Sequence, residues 1–348
     1  MSKTIIALIG AVRLHAGIIL PKEVHAGMPD PTRLVYNRVA KAGSTSMLRL
    51  LQLLGSQNGF TVFMSPKFFL DERAMADDME HYTRKQAATG AAYANHAGTV
   101  GRLDDARWSW INMVRDPLHL ERSMHEYTRG MTGHSPQGNS LSSRTIAIAR
   151  DDPACGCASL PFDRCLHVRA ELNCSMPMAT QRFYFCSASV LNRYFLSHFA
   201  ANQSFLTAGW VPRRVAGAAC ASGAAGVLCP GHVEHVCSAR DAAQQMQRYR
   251  FVGLTEEFET SVAMLERSLP RFFSNASGLL SRVGHQNTGA SGAAPSRQNA
   301  SEDAVMRRLL SRLTRGEYDE EEAFYRAVQT EFWRQVGAAG LDHRKTLP

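Results

Sequence analysis

Apolar residues fall in short clusters separated by polar turns, and their spacing changes from cluster to cluster. Leu34, Val35 and Tyr36 form a brief continuous run, the pattern of a buried strand. After a polar loop, Met47, Leu48, Leu50, Leu51 and Leu54 recur at helical spacing. "FTVFM" (60–64) is a second strand-like run, and 65–89 is charged and helix-compatible. "GAAYANHAGTV" (90–100) is small and apolar around one histidine and predicts no particular element. "WSWINMV" (108–114) reads as a strand stopped by Arg115, Asp116 and Pro117; the proline suits a first helical turn, so a helix is predicted to end near Gly130. Residues 131–144 are rich in Gly, Ser, Pro and Asn and read as loop. A helical stretch covers 188–200. Residues 248–273 predict a strand, a turn and an amphipathic helix, with Thr255 as N-cap and Glu256 and Glu257 in the first turn. Two closing helices are predicted over 301–313 and 320–336. Strands alternating with helices imply an α/β fold around a mainly parallel sheet flanked by helices.

Composition narrows the setting. The chain has 348 residues, enough for a large core, and 45% of them are apolar. There is no run of 18 apolar residues, the length a membrane-spanning helix needs. Residues 1–32 carry a short apolar run, Ile5 to Val12, like the core of a signal or anchor but interrupted by Arg13 and His15; a buried strand or a shortened N-terminus fits as well. The net charge of +8 favours acidic partners. Finger, RNP-like strand and basic-zipper patterns are all missing, which argues against nucleic acid.

All eight cysteines lie in the 83 residues from Cys155 to Cys237. No pair has C-x2-C spacing, so a disulfide-stapled region is expected in place of zinc. Sequons at Asn173, Asn202, Asn275 and Asn299 agree with the cysteines on a secretory compartment. The Gly/Ala-rich residues 214–237 read as an insertion in which Cys220 and Cys229 could pair with each other. Residues 289–301 read as a flexible loop.

Chemistry first shows in "VYNRVAKAGSTSM" (35–47), a strand, a loop of small residues and a helix start. A helix N-terminus offers unbonded N–H groups and a positive dipole end. Lys41 adds a charge, and Ser44, Thr45 and Ser46 add hydroxyl donors, a set suited to phosphate or sulfate. A simple Ser- or Thr-capped helix accounts for the same letters. The order is not that of a Walker A loop, because Gly43 follows the lysine. In "INMVRDPLHLERSMHEY" (111–127), Arg115 closes a strand and Ser123 follows eight residues later on the helix. Strand-end groups of a parallel sheet face the ligand crevice, and an arginine there can fork onto a phosphate.

These two stretches resemble the Golgi glycosaminoglycan sulfotransferases, in particular the heparan sulfate 2-O-sulfotransferase and uronyl 2-O-sulfotransferase group. "YNRVAKAGSTS" is similar to that group's 5′-phosphosulfate loop Y-N-R-V-P-K-T-G-S-T-S, and "INMVRDP" with Ser123 to its 3′-phosphate strand and helix. "FDRC" (162–165), "FVGLTEEFE" (251–259), "LERSLPRFF" (265–273) and "FYRAVQTEF" (324–332) follow in the group's order. The resemblance covers about residues 33–335 as one P-loop-NTPase-like sulfotransferase domain, with 336–348 as a tail.

The resemblance implies a transferase using 3′-phosphoadenosine 5′-phosphosulfate (PAPS). Lys41, the loop amides of Ala42 and Gly43, and Ser44, Thr45 and Ser46 would hold the 5′-phosphosulfate. Arg115 and Ser123 would hold the 3′-phosphate, and Arg38 would lie close to donor and acceptor. His96 falls where the family has its general base, with Ala94 in place of a first histidine. A lone histidine among alanines is otherwise more often a buried, satisfied side chain. His285 and Thr288 match a late donor-binding segment, with Asn287 in place of arginine. Ala40 and Ala42 stand where the family has proline and threonine. The implied disulfides are Cys165–Cys174 and Cys186–Cys237. The chemistry needs no metal. The implied acceptor is an acidic polysaccharide, sulfated most simply at the 2-hydroxyl of a hexuronic acid, in the Golgi lumen. The related enzymes form trimers through C-terminal parts that match loosely here, and a membrane anchor could precede the domain. The alternatives are a sulfotransferase for another glycan hydroxyl, a glycan-binding module that has kept the fold without the chemistry, and an unrelated nucleotide kinase.

Overall fold

The computed structural model describes residues 31–65, 72–84, 90–96, 98–100, 108–132, 157, 159–174, 176, 178, 180–186, 237–283 and 300–341. Five strands build one sheet: β1 (Arg33–Asn37), β2 (Thr61–Met64), β3 (Ala91–Asn95), β4 (Trp108–Val114) and β5 (Phe251–Leu254). Their order is β2-β3-β1-β4-β5, and every neighbouring pair is parallel. The helices are α1 (Ser44–Asn58), α2 (Glu72–Arg84), α3 (Pro117–Thr132), α4 (Phe162–Glu171), α5 (Ala239–Met246), α6 (Phe258–Ser268), α7 (Pro270–Phe273), α8 (Leu280–Val283), α9 (Ala300–Leu313) and α10 (Glu317–Ala338). This is the expected α/β architecture.

β1, β3, β4 and β5 are buried along their whole length, as parallel strands under helices must be. β3 is "AAYAN", which alanine's helix preference hides in the sequence. Its small side chains let the central strands be covered closely. At Gly253 of β5 an added Cβ would lie 2.5 Å from Met113 Sδ and 2.8 Å from Ser261 Cβ, so only glycine lets α6 approach this near. Ser261 then hydrogen-bonds the Leu254 amide and carbonyl with its one hydroxyl.

The chain leaves β1 toward β2 on one side and crosses to β4 on the other. The switch point, where a ligand crevice forms in such sheets, therefore lies at the C-terminal ends of β1 and its neighbours. Asn95, Asn37 and Asn112 share one register there, on three adjacent strands, and all are buried.

Three expectations need correction or placing. Thr255 does not cap α6: the helix starts at Phe258 after Glu257, and the Thr255 hydroxyl donates to the Val114 carbonyl at 2.9 Å. The end of β4 competes for that hydroxyl and wins. The Cys165–Cys174 disulfide does not form; Cys165 is bonded to Cys157, with Cα atoms 5.0 Å apart. Cys165 sits in the first half of α4 and Cys174 beyond its far end. Nine residues of mostly helical rise separate them by roughly 12 Å, beyond the reach of a disulfide. Cys174 is bonded elsewhere, outside the described residues. Cys186 is bonded to Cys237. The N-terminal segment 1–30, the helix expected over 188–200, the insertion with Cys220 and Cys229, His285, Thr288 and the loop 289–299 lie outside the described residues. Among those described, no helix is long and apolar enough to cross a membrane.

Candidate active site

The loop after β1 is built around two left-handed residues, Lys41 (φ 62°) and Gly43 (φ 70°). Gly43 is the N-cap of α1, and no side chain caps the helix. A serine or threonine cap is therefore not what the hydroxyls of Ser44, Thr45 and Ser46 supply. The first-turn amides of a 15-residue helix face the sheet edge, where helix geometry leaves them without intrahelical acceptors. Ala42 is fully buried and Ser44 nearly so, while Thr45 and Ser46 are half-buried.

Lys41 is half-buried with its Nζ 3.9 Å from the centre of the Tyr127 ring. Burial, and then the Arg115 charge, bring its ammonium down to about 8. An ammonium already short of water gains more from an arriving anion than a solvated one does. Arg115, just past β4, donates from Nη1 to the Lys41 carbonyl at 3.1 Å. That bond joins the two motifs, which lie 74 residues apart in sequence. Among the described residues, Arg115 Nε and Arg38 Nε are buried without a hydrogen-bond partner. A buried cationic donor left unmade is costly unless a ligand completes it. Ser123 lies half-buried on α3, one helical turn before Tyr127 and so on the face that meets Lys41.

His96 follows β3 directly, so it stands at the same edge as Arg38 after β1. Arg38 N–H donates to the Asn95 carbonyl at 2.7 Å, which continues the β1–β3 ladder one step. The His96 Nδ1 lies 2.6 Å from the Arg38 carbonyl. A carbonyl can only accept, so Nδ1 carries the proton and Nε2 keeps its lone pair. Burial and the Arg38 guanidinium pull the imidazole down to about 3, so it is neutral across the physiological range. Tyr184 stands edge-on to the ring with centroids 6.2 Å apart. Arg38 Nη1 reaches Met64 Sδ at 3.3 Å.

Lys41, Arg115, Arg38 and His96 thus converge on one edge, with α1 and α3 supplying the hydroxyls. Two residues of this edge are not visible in the sequence pattern. Tyr127 carries a weak signal, its helical spacing from Ser123. Gln181 carries none: it holds Arg115 by two hydrogen bonds, Arg115 N–H to Oε1 at 3.0 Å and Nε2 to the Arg115 carbonyl at 2.7 Å.

No family model matches the chain. Uronyl 2-sulfotransferases of Mus musculus and Homo sapiens are each 22% identical to it over 324 residues, 92% of this chain and 67% of theirs.

Proposed function

We propose that this chain, a distant relative of the uronyl 2-sulfotransferases, is a sulfotransferase that moves a sulfuryl group from PAPS to a hydroxyl of an acidic polysaccharide, at the 2-position of a hexuronic acid. The observation that carries the proposal is the Arg115–Lys41 hydrogen bond. It brings a strand-end arginine, a half-buried lysine and a helix start without a side-chain cap together at one sheet edge, an arrangement suited to an anion. Two anions a few bonds apart fit such a place better than one.

PAPS, as donor substrate, supplies the activated sulfuryl group. Lys41, the α1 amides and the hydroxyls of Ser44, Thr45 and Ser46 hold its 5′-phosphosulfate end. Arg115 and Ser123 hold the 3′-phosphate. His96 Nε2 takes the proton of the acceptor hydroxyl as the new O–S bond forms. The bond between sulfur and the phosphate oxygen breaks in line, and Lys41 meets the charge left on that oxygen. The Arg38 carbonyl steadies the imidazolium through Nδ1–H, while burial and the Arg38 charge oppose it. A carboxylate on the acceptor would offset that opposition. This favours an acidic sugar over a neutral one. Disulfides at Cys157–Cys165 and Cys186–Cys237 support a secretory compartment, and we place the enzyme in the Golgi lumen.

Calorimetry with 3′-phosphoadenosine 5′-phosphate (PAP) tests the donor site on wild type, Lys41→Ala and Arg115→Ala. Binding that collapses in both variants is expected. A folded wild type that ignores PAP would end the proposal. Transfer of labelled sulfate to a panel of uronate-containing and uronate-free glycans then tests the acceptor.

A further inference from the structure

We infer that Gln181 is a positioning residue that presents Arg115 to the donor's 3′-phosphate; the inference rests on the donor site proposed above. Gln181 is fully buried and spends both ends of its amide on the main chain of Arg115. Those two bonds are the pair a neighbouring strand residue would make. Arg115 needs a substitute for one, because the ladder stops short of it. β1 pairs with β4 only as far as Asn37 opposite Asn112, and β5 as far as Leu254 opposite Val114.

Gln181 is itself locked. Its N–H donates to Glu321 Oε2 at 3.0 Å. Glu321 Oε1 accepts from Arg182 Nη1 at 3.0 Å and from the Arg182 amide at 3.3 Å. Arg182 also donates to Glu317 at 2.6 Å and to the Cys237 carbonyl at 3.0 Å. Gln181, Arg182 and Glu321 are all 0% exposed. The main chain of Arg115 is therefore set from α10 and from the disulfide at Cys237. Its guanidinium reaches the Lys41 carbonyl from that fixed base. A glutamine that only filled space would not land both its bonds on the residue that grips the ligand.

The test compares two nucleotides on the full chain by calorimetry. PAP carries the 3′-phosphate; adenosine 5′-phosphate lacks it. In Gln181→Leu, PAP affinity should fall by about tenfold or more, the scale of one charge-assisted hydrogen bond. Affinity for adenosine 5′-phosphate should stay within about twofold, since that ligand does not use Arg115. Gln181→Glu keeps the acceptor for the Arg115 amide and removes the donor, so it should fall between; it also carries the test if the leucine variant does not fold. In an Arg115→Ala background, Gln181→Glu should add nothing further for PAP. Equal losses for both nucleotides, additive losses in the double variant, or unchanged PAP binding would each overturn the inference. A wild type that fails to bind PAP would instead overturn the donor site beneath it.

Discussion

The two halves of the sheet edge hold their residues by different means. On the β1–β3 side, Lys41 and His96 are placed by main-chain geometry and local contacts: a left-handed φ and the Tyr127 ring for the lysine, the Arg38 carbonyl and the Tyr184 ring for the histidine. Both have depressed proton affinities: His96 rests neutral, and Lys41 titrates near pH 8. On the β4–β5 side, Arg115 is held by a buried polar brace, Gln181 to Glu321 to Arg182. Its own charge does not change. In the proposed reaction the β1–β3 side would take the proton and meet the developing charge, while the braced β4–β5 side would only grip. Grip needs a fixed geometry before the ligand arrives, whereas the reacting groups must pass between two charge states.

That contrast can be broken by substitution. His96→Ala should lower kcat by about 10²–10⁴-fold, the usual worth of a positioned base, with PAP affinity within about threefold. Single-turnover sulfate transfer measures it, and retained turnover would move the base elsewhere. Arg115→Ala should weaken PAP by about 10–100-fold. Its kcat at saturating donor should fall far less, which steady-state kinetics at two donor concentrations will separate. The Lys41 ammonium, brought down to about 8, loses its proton as pH rises through that value. PAP affinity should therefore fall above pH 8, by at most about tenfold per pH unit, and Lys41→Arg should flatten the dependence. Smallest in function is Gly253→Ala, where a Cβ would strike Met113 and Ser261. It should cost about 1–3 kcal/mol of stability, read from chemical denaturation, with the rate nearly unchanged at temperatures where the variant stays folded.

The strands β1, β2, β4 and β5 were legible because short continuous apolar runs between polar turns suit strands inside a covered sheet and little else. β3 was not, since three of its five residues are alanines and its burial, not its composition, makes it a strand. Thr255 misled because a good cap residue was also within reach of a strand-end carbonyl that sequence cannot place. The loop around Lys41 and the strand-end Arg115 stood out as motifs, and the structure brings them together. Gln181 could not stand out: its partners lie 66 and 140 residues away, and nothing local distinguishes it from a surface glutamine. The pairing of Cys165 with Cys174 rested on the resemblance alone, and in this chain Cys165 is bonded to Cys157 instead.

The bond between Cys186 and Cys237 has a consequence for the brace. It brings together two Cα atoms 6.4 Å apart that are 51 positions apart in sequence. The residues between them form a closed circuit whose ends are pinned beside Arg182. Closing a loop of that length removes about 4 kcal/mol worth of freedom from the unfolded chain. Because Arg182 also donates to the Cys237 carbonyl, the same disulfide ties the brace behind Arg115 to one end of that circuit.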